Sequence, residues 1–341
     1  MSDNPMYNES RYRYKLSVIV AVYNVATYLD ECLASLHRQK REDVEFIVVD
    51  DGSTDTSSTI CDQWAVRDVR FKVIHQENKG SLLARKTGVM HSSGEWIAFL
   101  DGDDLFADAA LEDICNLVDN SDSDIIQFYS DVFNYNSKNE YNETIDAINN
   151  IEGSFTKRQT IYKKCFHEHN ISWTIWNKIY KSSLLKESYK HIKNIHLVCA
   201  EDAYMNFIVF FFTKKILIKK TRPLYLYRYS VGISTRKETL ELFTKQLSEI
   251  KIVEYIREFL TNQSASSAFF DACSELEITL TNTAVYRMAS LPKKDLSIGF
   301  HLFIDTYNPI CYMPTLQDVF AERKDELACV AHAAFKQMDT R

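Results

Sequence analysis

Glycine and proline are scarce in this chain, 8 and 5 of 341 residues. No Gly-rich linker, low-complexity tract or internal repeat divides it. No GxGxxG loop follows the first apolar run and no GxxxxGK[ST] occurs anywhere, so a redox-nucleotide enzyme and a P-loop NTPase are both disfavoured. An excess of positive charge is also missing. The formal net charge is -7, which argues against a general nucleic-acid binder. The eight cysteines stand singly without a CxxC pair, a pattern of reduced thiols in a cytoplasmic protein rather than a disulfide frame or a zinc site. The first residues, MSDNPMYNESRYRYK, lack the apolar stretch of a signal peptide. The longest strongly apolar run, Phe207 to Phe212, is far too short to span a bilayer.

What is present is an alternation of short branched runs with helical spacing. Leu16–Tyr23, Val44–Val49, Phe71–His75 and Trp96–Leu100 read as buried strands, since each is short, β-branched or aromatic and bounded by turn residues. Between them lie helices, the first with Leu29, Cys32, Leu33 and Leu36 on one face. Such alternation implies crossover connections, hence an α/β fold with a doubly wound, mainly parallel sheet flanked by helices. A helix through Leu111, Ile114, Cys115 and Val118 and a strand near Asp124–Phe133 extend the pattern. The chain then turns polar between Asp131 and Gly153. Aromatics return up to Tyr229, and beyond Thr235 the spacing of Leu240, Phe243, Leu247, Ile250, Val253 and Ile256 is helical throughout. The organisation expected is an N-terminal tail (1–14), a catalytic domain (15–235) with halves meeting near 130/131, and a C-terminal helical region (236–341).

Three strand ends carry polar groups: Tyr23-Asn24, Asp50-Asp51-Gly52-Ser53 and Asp101-Gly102-Asp103-Asp104. The carboxyl ends of parallel strands share one rim, where open α/β sheets bind ligands. Crowded carboxylates repel one another unless a cation compensates them, and hard oxygen ligands suit magnesium or manganese. A divalent ion on Asp103, assisted by Arg85 or Lys79, would neutralise a diphosphate where no glycine cradle exists. Simpler readings accompany these: Asp104 as the N-cap of a helix starting near Ala107, Asp50-Asp51 as a turn, and Arg85 as a surface salt bridge.

The chain resembles the family 2 glycosyltransferases of the GT-A type that build bacterial surface polysaccharides. The residues that carry the likeness are SVIVAVYN (17–24), VDDGSTD (49–55), NKGSLLARKTG (78–88), DGDD (101–104), WNKIYK (176–181), Glu201-Asp202 and YRYSVGIS (227–234). The resemblance implies that Ala21, Val22, Tyr23 and Asn24 lie along a uracil base whose N3–H is accepted by Asp51 or Asp50. It further implies that Asn78 and Arg85 touch the nucleotide-sugar and that Asp101, with Gly102 beside it, contacts ribose or sugar. Asp103, with Asp101 near it, would hold the cation. Asp202, the second acid of the pair, would be the general base of an inverting transfer, positioned by Glu201. Trp176, Lys178, Arg228 and Ser234 would reach the acceptor or the diphosphate; Trp173 and Trp176 suggest a sugar-stacking wall, with core packing as their default reading.

Two positions depart from that pattern: Ala21 where relatives carry proline, and Gly232 where some carry a metal-binding histidine. The implied partners are a UDP-sugar and a saccharide acceptor, lipid-linked in the fullest reading, with no nucleic acid. Lys214, Lys215, Lys219 and Lys220 form by default a solvated edge and otherwise a peripheral contact at the inner face of the membrane, and the C-terminal helices suggest a homo-oligomer or a packing role. A nucleotidyltransferase is disfavoured because VAVYNVATY is not its Gly-rich loop. A processive synthase is disfavoured because no QxxRW occurs. A non-catalytic nucleotide-sugar scaffold is the remaining alternative.

Overall fold

The computed structural model describes residues 12–134, 151–229 and 237–307, with positions 141, 143, 145, 146, 149 and 315. Strand β1 (Tyr14–Val22) lies between β2 (Val44–Asp50) and β4 (Gly94–Asp101), parallel to both, and β3 (Phe71–His75) extends the sheet beyond β2. All seven residues of β2 are buried, as expected of a strand covered by helices on both faces. Register places Asp101 opposite Ala21 and Asp50 opposite Val22, so both acidic clusters flank the end of β1.

The other half of the sheet is mixed. The full order is β3-β2-β1-β4-β9-β6-β10-β8, in which β9 (Lys178–Lys181) runs antiparallel to both β4 and β6 (Ile125–Phe128). Strand β10 (Ile216–Lys219) is parallel to β6, and β8 (Gly153–Phe155) is antiparallel to β10. The strand expected over Asp124–Phe133 is two strands. Its second part, β7 (Ser130–Phe133), leaves for a three-stranded sheet with β5 (Leu105–Phe106) and β11 (Tyr225–Arg228).

Helix α1 (Ala26–His37) buries Leu29, Cys32, Leu33 and Leu36 completely, at about 1.5–3 kcal/mol for each large aliphatic side chain. Helix α2 (Ser57–Arg67) sets Trp64 on Phe71. Helix α3 (Ser81–His91) crosses β1 at close range, because Gly88 has no side chain: a Cβ there would fall 2.4 Å from Cγ2 of the fully buried Ile19. We therefore expect Gly88→Ala to lower Tm, even though alanine is the better helix former by about 1 kcal/mol. Overpacking of this kind costs about 1–3 kcal/mol, and an unchanged melt would show that Ile19 turns aside.

Helix α4 (Ala110–Asp119) buries Leu111, Ile114, Cys115 and Val118 as the spacing foretells. It starts at Ala110 with Ala109 as its cap, so Asp104 is not its N-cap. After α5 (Arg158–Tyr162) and α6 (Ser182–Ser188), helix α7 (Glu201–Phe212) holds Phe207–Phe211 of the apolar run in the interior and Phe212 partly buried at its edge. Its aromatic rings form the seam to the C-terminal helices: Phe211 meets Phe259 and Phe269, and Tyr162 meets Phe207 and Phe269. Those helices are α8 (Leu240–Gln246), α9 (Lys251–Asn262), α10 (Ser267–Ala289) and α11 (Leu296–Thr306). Packing on the body is thus the observed use of their apolar spacing, and one core runs from Ile19 through Phe207 to Leu276. Among the described residues no helix is long and apolar enough to cross a membrane. Of the four lysines around Ile216–Ile218, Lys215 pairs with Asp122 and Lys219 with Glu152.

Candidate active site

The first strand end is stitched to the second by Asn24. Its backbone lies in the left-handed region (φ 52°), and its Oδ1 accepts from Thr54 N at 2.7 Å, while its own N–H donates to Ser53 Oγ. Tyr23 beside it is half exposed. Asp50 accepts from Ser53 N at 3.1 Å and shares a contact of 2.9 Å with His75 Nδ1. Asp51 accepts from Gln76 Nε2 at 2.7 Å and from the N–H groups of Lys79 and Gly80. Both acids are buried, so the turn reading accounts for much of what they do. Gly52 (φ 73°) sits so close to the 76–78 turn that a Cβ would fall 2.8 Å from Asn78 N. Asn78 itself is exposed on that turn.

The Asp51 bonds fix the turn from which α3 starts, and α3 carries Arg85 into the interior. Arg85 is therefore no surface salt bridge. Its Nη2 donates to Asp101 Oδ1 at 2.7 Å, and its Nη1 to Asp202 Oδ1 at 3.2 Å and Glu201 Oε1 at 3.4 Å. One guanidinium thus joins the end of β4 to the start of α7, and its bond to Asp202 spans 117 residues of sequence. Its Nε is buried without a partner, a donor left over whose isolation costs about 1–3 kcal/mol. Ser81 Oγ completes the cluster by donating to Glu201 Oε1 at 2.7 Å.

Asp202 stands at the N-terminus of α7, where the helix dipole favours negative charge. Its Oδ2 accepts from Ile175 N at 3.3 Å. Burial raises its carboxyl to about 7, against the pull of Arg85 and with the push of Glu201 and Asp101. A proton held there belongs to a cluster of three acids around one cation rather than to a single residue. Burial, and then Asp101, likewise raise the Asp103 carboxyl to about 6. Gly102 between them lies under Val25 and 3.3 Å, at a Cβ position, from the carbonyl oxygen of Ala21.

The acidic turn is held from the other side by residues that spacing did not reveal. Tyr225 OH donates to Asp104 Oδ2 at 2.6 Å, and Arg228 N donates to Asp104 Oδ1 at 2.6 Å. The Arg228 side chain donates from Nε to the Asp103 carbonyl oxygen at 2.7 Å and from Nη2 to Glu31 at 2.7 Å, between the rings of Tyr28 and Phe133. Arg228 thereby positions the turn. Trp176 is interior, stacked on Tyr225 and Tyr227, so it is core rather than a sugar-stacking wall. Lys178 is fully buried, its Nζ donating to Thr174 O and Asn177 Oδ1, and burial pushes its ammonium down to about 7. It supports the loop whose Ile175 N–H meets Asp202, and an acceptor does not reach it in this arrangement. Ser234 and Gly232 fall outside the described residues.

A parallel sheet ordered 3-2-1-4, an antiparallel strand beside it and an acidic rim at the strand ends define the GT-A class of fold. The same fold is seen in S. aureus TarS (residues 1–349) in complex with UDP-GlcNAc, at TM-score 0.58 and 19% identity over 91% of each chain. It is seen also in the mannosyltransferase PcManGT of Pyrobaculum calidifontis with GDP-Man and Mn2+, at TM-score 0.53 and 14% identity over 95% of this chain and 85% of the other. The family model described as glycosyl transferase family 2 matches residues 17–184. EpsH of Bacillus subtilis, named as a glycosyltransferase, is 33% identical over 236 residues, 68% of this chain and 66% of its own. Glycosyltransferase GlyA of Streptococcus pneumoniae is 32% identical over 230 residues, which are 65% of this chain and 32% of GlyA. The chain therefore spans just under two thirds of EpsH and about a third of GlyA. It belongs to glycosyltransferase family 2.

Proposed function

We propose that the protein transfers a sugar from a UDP-sugar to a saccharide acceptor, lipid-linked in the fullest reading, with inversion at the anomeric carbon. The observation that carries this is the Arg85 bridge, which brings the acid at the end of β4 and the acid pair of α7 into one cleft. Asp202 takes the proton from the acceptor hydroxyl as that oxygen attacks, and its raised pKa suits a base working near neutrality. Glu201, tied to Ser81 and Arg85, keeps the start of α7 in place. Ala21 to Asn24 line the base, with Asp50 and Asp51 at its edge and Asn78 beside the sugar. UDP as the nucleotide follows the ligand of TarS.

The residues present also fit a divalent cation, manganese or magnesium. Asp101 and Asp103 are two carboxylates on one turn, close enough for one to raise the other's pKa, which a cation would relieve. No group of three such ligands is assembled among the described residues. A magnesium-like site commonly uses one or two carboxylates and completes itself with substrate phosphates. When bound, such an ion would supply charge stabilisation to a leaving diphosphate. Screening UDP-sugars for manganese-dependent release of UDP tests the reading. Asp103→Asn should weaken UDP affinity at least tenfold in manganese and remove the difference made by a chelator. Calorimetry giving equal UDP affinity with and without chelator would take the metal out of the mechanism.

A further inference from the structure

We infer that Glu249, on the 3-10 turn Leu247–Ile250 between α8 and α9, and Arg287 of α10 act as positioning residues for the acid pair, gripping Cys199 and so holding the turn that presents Glu201 and Asp202. The inference rests on the reading of Asp202 as the base.

Ala200, the residue between Cys199 and Glu201, has φ 62°. A residue with a Cβ rarely adopts that left-handed conformation, and it persists only where its surroundings over-determine it. On the C-terminal side, α7 runs into the core from Ala203 onward. On the N-terminal side the restraint is a buried cluster. The Cys199 thiol donates to Glu249 Oε2 at 2.8 Å, and Arg287 Nη1 donates to both Glu249 oxygens, at 3.1 and 2.9 Å, and to Cys199 Sγ at 3.5 Å. Tyr307 OH donates to Glu249 Oε1 at 3.2 Å. Glu249 is 1% exposed, and a polar group buried so deeply is costly without such hydrogen-bond partners. Burial, with Glu249 beside it, raises the Cys199 thiol far above its ordinary value, so it remains a proton donor. The same loop meets the helices again along a groove of about 210 Å³ lined by Ile195, His196, Leu197, Ser248, Lys251 and Tyr255. Two elements distant in sequence therefore meet at the residue that precedes the strained one, and a third braces Glu249 through Tyr307. The donor-side acids lie on other strand ends and are untouched by this cluster.

Cys199→Ala cuts the tie while leaving Glu249, Arg287 and Tyr307 paired among themselves, so the helices keep their own support. In the full chain we expect kcat for UDP release from UDP-GlcNAc, with water as acceptor and manganese present, to fall about tenfold. KM for the donor and UDP affinity should stay within twofold of wild type. Cys199→Ser, which keeps a donor, should retain most of the rate. Amide exchange in a peptide spanning 198–206 should quicken in Cys199→Ala. Adding Ala200→Gly should restore at least half of the lost rate, since glycine takes the left-handed conformation without steric cost. The inference is overturned by a normal kcat in Cys199→Ala, by a lowered kcat with unchanged exchange at 198–206, or by failure of Ala200→Gly to restore the rate. Should Asp202→Asn itself turn over normally, the base assignment falls, while the exchange data still report whether the cluster holds the turn.

Discussion

Asp202→Asn is expected to reduce transfer about a hundredfold to ten-thousandfold, the usual consequence of removing a general base, while UDP affinity stays nearly normal. The amide keeps the size of the acid, and its one oxygen can still accept from Arg85 or from Ile175 N–H, but it cannot take a proton. In the wild type, kcat should fall as pH drops below about 7, because the base must be ionised and its carboxyl is raised to that value. The same shift has a sign for stability. A carboxyl that binds its proton more tightly when folded favours the fold fully below its unfolded pKa and loses that contribution as pH rises through the folded value. Asp202→Asn, locked in the uncharged form, should therefore melt higher than wild type at pH 8 and show little difference at pH 4. Turnover, UDP affinity and melts at both pH values check this together. Near-normal turnover in the variant would move the base elsewhere, first to Glu201, whose Gln variant should otherwise be the milder one.

Arg85→Met should be the most damaging single change on the donor side. It strands Asp101, Glu201 and Asp202 together with no cation among them, and breaking a buried ionic cluster costs about 3–5 kcal/mol. Arg85 lowers the Asp202 pKa, so its loss should also push the acid limb of the kcat profile to higher pH. Arg85→Lys should fall between, since an ammonium carries the charge but not the fork that spans two acids at once. Tm and the pH–rate profile of both variants are the measurements. A Met variant that melts and turns over like wild type would mean that the bridge contributes nothing.

Legibility in the sequence followed how local each determinant is. The apolar face of α1, the wholly buried β2 and the acidic turn after β4 are read from neighbours within one element, and they stand where spacing and motif put them. Strand β9 was missed because four residues, KIYK, carry too little periodicity, and their antiparallel place is set by partners about 80 residues earlier in the chain. The break between Phe128 and Ser130 was missed because both halves look like strand, and only β10 and β11 decide which sheet each joins. At the site, the acids were legible as motif residues but their connections were not. That Arg85 serves both ends of the cleft, that Asp104 anchors β11, and that Lys178 lies inside are facts of long-range packing. Glu249 and Arg287 belong to no motif at all.

On the proposed mechanism, the Arg85 bridge would also set an order of events at the site. Because Asp101 itself helps to raise the Asp202 pKa, a positive charge that compensates Asp101 from the donor side would remove that push. Occupancy at one end would then lower the proton affinity at the other, through Coulomb's law alone and without any hinge or lid. An acceptor arriving first would meet a carboxyl still inclined to hold its proton. One arriving second would meet a base that holds its proton less tightly, so an empty donor site would by itself discourage wasteful activation of the acceptor.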